Sequence, residues 1–165
     1  MDTAAHLARG VLDAGSHVVG PRVAFALRNP DLYVAGVRVN MVSSAEALAE
    51  QVEVLSAQDV TSLEFFPAFF DSPDRIGWWL AHPSPPGEDV RSVAARIESF
   101  AGSLVDPIPG RPEVVVAVTH SPLLRAVAHE SLGHDIGEPP WVSGLLLVVD
   151  DDRNTTVEVF DPGAE

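Results

Sequence analysis

Apolar positions recur at helical spacing in several parts of the chain. The clearest case is the segment 88–105, where Val93, Ile97 and Phe100 mark one face of an amphipathic helix. A similar pattern predicts helices at 3–14, closed by Gly15, at 44–55 behind an N-cap Ser44, and at 121–133. A short helix is expected at 74–80 within a Pro-rich, aromatic stretch, and a Pro/Gly loop over 106–112.

Other segments have the β-branched and aromatic composition of strands. They are residues 17–27, 32–42, 60–66, 142–149 and 155–160, with a turn at 150–154 between the last two. The run Val114 to Val118 is apolar throughout, which is typical of a strand buried on both faces. For residues 3–14, a strand through Leu7 is the alternative to the helix. Helices and strands alternate in the second half, which predicts an α/β fold with a parallel or mixed sheet.

Composition and charge narrow the classes of function. The chain of 165 residues has 46% hydrophobic residues, no cysteine and a net charge of −14. We therefore expect one globular domain over 1–165, without disulfides, thiolate zinc sites or a cysteine nucleophile. The acidic surface argues against nucleic-acid and membrane partners. Since no apolar run approaches the ~18 residues of a membrane span and no signal peptide is evident, we expect a cytoplasmic protein.

The end of the predicted strand 114–118 is the best candidate for a binding site. Ligands of α/β sheets bind beyond the carboxyl ends of strands, where Thr119, His120 and Ser121 lie. Ser121 is suited to cap the following helix and Pro122 to its first turn, so the free backbone N–H groups there favour an anion. Arg125 lies close enough in sequence to add positive charge. The alternative is a histidine that only touches solvent at a strand end.

A longer pattern around this site resembles a known family. Residues 85–89 (PPGED) precede an amphipathic helix, a loop, a Val-rich strand and Thr119-His120. This order resembles the C-terminal half of the histidine phosphatases (phosphoglycerate mutase-like superfamily) over about 84–161, and Leu132-Gly133 and the closing hairpin also match. The resemblance implies a three-layer α/β sandwich with a mostly parallel central sheet and a divergent or truncated N-terminal part.

The resemblance also implies roles for several residues. His120 matches the second family histidine, which stabilises the transferring phosphoryl group, and Glu88 matches a glutamate near the site. Glu64 and Asp71 occupy the region of the family's general acid. Ser121, Arg125, Arg22 and Arg9 are the candidate phosphate contacts, together with Glu88. The implied substrate is a small, phosphorylated metabolite, and neither a cofactor nor a metal is expected.

The Arg-His-Gly motif that carries the family's nucleophilic histidine is missing. In one alignment residues 4–10 form the first strand, with the nucleophile lost. In the other, which we prefer, residues 3–14 are a helix, the first strand is absent and a partner chain could replace it. His6 and His17 are the remaining candidates for a nucleophile, although we favour the alternative that each is an exposed histidine on a poorly anchored segment.

Three functions are compatible with these observations. One is a phosphatase or phosphomutase, and a second is a degenerate or repurposed member of the same fold. The second would bind a small molecule or perform acid–base chemistry on an apolar one. The third is a non-enzymatic partner protein that forms a homodimer. The dense aromatic segment 65–79 suits either core packing, an apolar pocket or a dimer surface.

Overall fold

The computed structural model describes residues 2–104, 114–150, 152 and 154–163. Seven helices lie in these ranges: α1 (Asp2–Asp13), α2 (Ala45–Ala49), α3 (Ala57–Thr61), α4 (Phe65–Asp71), α5 (Arg75–Ala81), α6 (Val90–Leu104) and α7 (Ser121–Leu132). The strands there are β1 (Leu32–Val34), β2 (Val37–Val39), β3 (Gly144–Val149) and β4 (Thr155–Phe160), and a 3₁₀ turn spans Phe25–Leu27. The loop predicted at 106–112 lies outside the described residues.

Capping residues explain where the short helices of the first half begin. Ser44 accepts a hydrogen bond from the backbone N–H of Ala47 at 3.3 Å and starts α2. At Ser56 a capping box starts α3, because its hydroxyl and the Asp59 carboxylate each accept a backbone N–H of the other residue. The single helix predicted over 44–55 is therefore wrong in its second half, and the strand predicted at 60–66 is also wrong.

The hydrophobic core lies where α6 and α7 pack against each other, where α5 packs against α7, and where α4 packs against α5. Val93 and Ile97 of α6 and Leu123 and Val127 of α7 are buried. Trp79 of α5 is fully buried, and its indole N–H donates to the carbonyl of Glu88 at 3.1 Å. This core holds the N-terminal end of α7, and hence His120, in a fixed position.

The mostly parallel central sheet that the resemblance implies is not present in the described residues. Their strands form two antiparallel pairs, β1 with β2 and β3 with β4. Residues 114–120 form no strand, and Val114 and Val116 are 91% and 69% exposed. The prediction of a buried strand at 114–118 is therefore wrong. Its apolar side chains favour a strand only if neighbouring strands exist. The strand predicted at 17–27 is also wrong, because residues 17–24 form no strand and Phe25–Leu27 form a 3₁₀ turn.

The N-terminal segment is helical, which confirms the helix predicted at 3–14 and excludes the strand through Leu7. Gly15 follows α1 with a φ of +83°, a left-handed conformation that glycine adopts without strain. Leu7, Val11 and Leu12 all remain exposed. No helix in the described part of the chain is long and apolar enough to cross a membrane.

Candidate functional site

A cavity of about 960 Å³ opens beside the N-terminal end of α7. Part of its wall is apolar and comes from Met41, Val42, Phe69, Ile76 and Pro122. Its polar lining comes from Asn29, Ser43, Asp74, Arg75, Thr119, His120, Ser121, Arg125 and Glu138. This mixture of one apolar wall and a few polar groups is typical of a pocket for a small molecule.

His120 is the N-cap residue of α7, with extended backbone angles (φ −117°, ψ 155°). Its carbonyl accepts the N–H of Leu123 at 3.1 Å, while its side chain is exposed and makes no capping hydrogen bond. The helix therefore begins at Ser121, one residue earlier than a Ser121 cap would place it. Thr119 donates its hydroxyl to the carbonyl of Leu27 at 3.0 Å, which holds Thr119, the residue directly before the histidine, against the 3₁₀ turn.

Arg125 is 1% exposed, and two carboxylates neutralise it. Its Nη1 and Nη2 donate to the two oxygens of Asp74 at 2.7 and 2.6 Å, and its Nε donates to Asp135 at 2.9 Å. The hydrogen bonds from Arg125, opposed by desolvation, lower the pKa of Asp74 from its ordinary 3.8 to about 2. The pKa of Asp135 is lowered by the same guanidinium. The cavity thus contains an arginine whose charge is already compensated.

Gly77 allows α5 to approach Arg125 this closely. A Cβ atom added to Gly77 would lie only 2.8 Å from Nη2 of Arg125 and still closer to the Asp74 carboxylate. The backbone N–H of Gly77 also donates to Asp74 at 3.0 Å, so Asp74 is the N-cap of α5. The sequence predicts the short helix 74–80 but not this contact with α7.

Asn29 also lines the cavity, although its sequence position did not predict a functional role. Its Oδ1 atom is buried and has no hydrogen-bond partner among the residues that the structure describes. A buried acceptor without a partner is costly, and a ligand with a hydroxyl, amide or ammonium group could satisfy it. Nothing local in the sequence marks this residue, because it shares the cavity lining with Thr119 and His120, which lie about 90 positions further along the chain.

Glu88 lies in a separate ion network outside the cavity lining. Its carboxylate accepts a hydrogen bond from Nε of Arg96 at 2.9 Å and another from the backbone N–H of Asp31 at 2.8 Å. Arg28 pairs with Asp31 at 2.6 Å, and the hydrogen bond from that guanidinium lowers the pKa of Asp31. The network fastens the start of β1 to the start of α6, so its visible role is structural.

The other predicted residues do not line the cavity. Glu64 and Asp71, at the two ends of α4, are exposed, and so are Arg9 and Arg22. The two candidates for a replacement nucleophile, His6 and His17, are exposed as well and lie outside the lining. Among the predicted site residues, the structure brings together only His120, Ser121 and Arg125.

A family model agrees with the resemblance in the sequence. The model of the histidine phosphatase superfamily (branch 1) matches residues 45–158, about two thirds of the chain. The matched range includes His120, Glu88 and Arg125, whereas His6, His17 and Asn29 precede it. No curated protein and no solved structure matches the chain.

Proposed function

The chain belongs to the histidine phosphatase superfamily, and from that membership we propose that it binds a small metabolite in the cavity beside His120, with phosphoryl transfer weakened or lost. One observation carries this proposal: the cavity keeps a histidine at a helix N-terminus, but its buried arginine is already paired with Asp74 and Asp135. The cytoplasmic location, the single-domain organisation and a homodimer stay predictions from the sequence.

Phosphoryl transfer through a phosphohistidine needs a nucleophile and several cations that converge on the transferred group. The cavity lining contains one histidine, His120, and two arginines, Arg75 and Arg125. Asp74 and Glu138 also line it, and Asp135 pairs with Arg125 from outside the lining. This balance of charge does not favour the developing negative charge of a phosphoryl group.

A second candidate function is acid–base chemistry on an apolar small molecule. His120 can donate or accept a proton at the cavity, and an apolar wall that includes Phe69 and Ile76 suits such a ligand. The buried acceptor of Asn29 would orient a ligand that carries a hydrogen-bond donor.

The experiment compares the wild-type protein with His120→Ala in two assays, hydrolysis of an aryl phosphate from pH 5 to 8 and binding of a small-metabolite library. Binding is followed in NMR spectra of the wild-type protein through the imidazole resonances of His120, which His120→Ala identifies because they are missing from its spectrum. We expect library members to shift the His120 resonances and phosphate turnover to stay far below about 1 s⁻¹, the lower end for ordinary enzymes. His134→Ala, in an exposed position beyond α7, is the matched control and should behave as wild type.

Two results would contradict the proposal. Turnover near or above about 1 s⁻¹ that is abolished in His120→Ala and retained in His134→Ala would show that the protein is an active phosphatase. If no member of the library shifts the His120 resonances, the proposed binding site is refuted.

A further inference from the structure

We propose that Asp74 determines the charge of the ligand, because it occupies the guanidinium of Arg125 and makes the cavity select an uncharged or cationic small molecule over a phosphate. This inference rests on the proposed function, since it concerns the ligand of the same cavity. It assigns to Asp74 the role of a specificity-determining residue.

The contact between Asp74 and Arg125 has the geometry by which arginine binds an anionic ligand. Two parallel N–H···O hydrogen bonds of 2.7 and 2.6 Å join the guanidinium to the carboxylate. Arginine uses the same two-pronged arrangement for phosphates. The carboxylate of Asp74 therefore stands where one edge of a bound phosphate would lie.

Position distinguishes Asp74 from the second partner of Arg125. The Asp74 side chain is 55% exposed and lines the cavity together with Arg125, whereas that of Asp135 is 29% exposed and lies outside the lining. A ligand in the cavity would thus meet Arg125 on the side that Asp74 covers. The Arg125 side chain itself is 1% exposed, so no further face of it is open to solvent.

The structure holds Asp74 in this position from two sides. Its carboxylate also accepts the backbone N–H of Gly77, and the missing side chain of Gly77 leaves the room for the close contact. Asp74 is an anion at neutral pH, as an ordinary aspartate is, and its pKa of about 2 keeps it ionised well into the acid range. A phosphate group would therefore have to displace a fixed carboxylate or sit beside it against charge repulsion.

An uncharged or cationic ligand meets no such obstacle. The Oδ1 atom of Asn29, which is unpaired among the described residues, can accept a hydrogen bond from a hydroxyl, amide or ammonium group. With His120 in the same lining, such a ligand has a polar contact at two points of the cavity and apolar contact with Phe69 and Ile76.

The test is a titration with inorganic phosphate at low ionic strength and pH 7.5. Binding is measured by calorimetry and by the shift of the His120 resonances. We expect no saturable binding to the wild-type protein up to millimolar phosphate. In Asp74→Asn we expect phosphate affinity to rise at least about tenfold, because a charge-assisted pair becomes free for the ligand. Asparagine also caps helices well, so α5 should keep its start. The double variant Asp74→Asn/Arg125→Gln should lose the gain.

Asp135→Asn is the matched control. It also removes one carboxylate charge that pairs with Arg125, but Asp135 lies outside the cavity lining. The inference is overturned if wild-type protein binds phosphate at submillimolar concentration, if folded Asp74→Asn shows no gain, or if Asp135→Asn gains as much. If Asp74→Asn does not fold, Asp74→Ser, which also suits an N-cap, replaces it. A wild-type protein whose His120 resonances respond to metabolites but which also binds phosphate would overturn this inference and leave the proposed function standing.

Discussion

Arg125 is the residue on which the charge of the candidate site depends. Its position after His120 predicts a phosphate contact, but in the structure its guanidinium donates to Asp74 and Asp135. Asp74 is 51 residues away in the chain, so no local pattern could have shown the pairing. His120 at the start of α7 could be predicted, because a Thr-His-Ser-Pro sequence at a helix start depends on neighbouring residues only.

The pairing of Asp74 makes the stability of the protein depend on pH at the acid end. Its folded-state pKa of about 2 lies below the ordinary 3.8, so its contribution is fully present above about pH 4 and is lost as the pH falls toward 2. We expect the free energy of unfolding of Asp74→Asn to fall less over this window than that of the wild type. Urea denaturation between pH 5 and 2 measures the difference.

Asp59→Asn is a suitable comparison for this measurement. The pKa of Asp59 is also lowered, but by Ser56 and not by a guanidinium, and the side chain is exposed. We expect Asp59→Asn to change the dependence of the free energy of unfolding on pH less than Asp74→Asn does. Parallel stability curves for the wild type and Asp74→Asn would contradict the assignment.

At the scale of secondary structure, helices could be predicted better than the sheet. Helices α1, α5, α6 and α7 and the hairpin β3–β4 lie close to their predicted ranges, because helical periodicity and hairpin turns are encoded locally. The strands predicted at 60–66 and 114–118 failed for different reasons. The capping box at Ser56 starts α3, which takes up the first two residues of the region 60–66, and the last two belong to α4. The region 114–118 has no neighbouring strand in the described structure.

The close contact between α5 and α7 predicts an unusual response to a glycine replacement. Alanine in a helix interior is normally about 1 kcal/mol more favourable than glycine. At Gly77, however, the added Cβ would meet both Asp74 and Arg125, so we expect Gly77→Ala to destabilise the protein. Thermal or urea unfolding gives the change in the free energy of unfolding.

Gly102→Ala is the matched control, because Gly102 lies in α6 and a Cβ atom added there would meet no described atom within 4 Å. We expect this variant to be as stable as the wild type or more stable. Equal effects of the two alanines would show that the contact at Gly77 is not tight.

At the scale of the whole molecule, the five consecutive apolar residues Val114 to Val118 are all exposed, which is unusual in a globular domain. Short, uncharged segments rich in β-branched residues tend to pair with another strand. We expect the protein to self-associate with rising concentration, and more strongly at high salt, because salt screens the net charge of −14. Sedimentation velocity measures this association.

Val116→Lys places a charge in the middle of the segment and should reduce the association. Val54→Lys is the control, since Val54 is similarly exposed, at 78%, but lies between α2 and α3. A wild-type protein that stays monomeric at all concentrations and salt levels would contradict this expectation.

The same segment has a consequence for the kinetics of amide hydrogen exchange around the site. Within the described residues, the backbone N–H groups of Val114 to Val118 donate no hydrogen bond, whereas α7 begins immediately after His120 and is packed against α6. Slowly exchanging amides should therefore begin inside α7, and those before Thr119 should exchange rapidly. A ligand whose contacts extend from Thr119 to residues 114–118 has to order that backbone, at about 1–2 kcal/mol per residue that becomes fixed. The observed affinity is then lower than the intrinsic affinity, because ordering the chain costs free energy. The degree to which amide exchange at 114–118 slows on ligand addition would show how much of this segment becomes ordered.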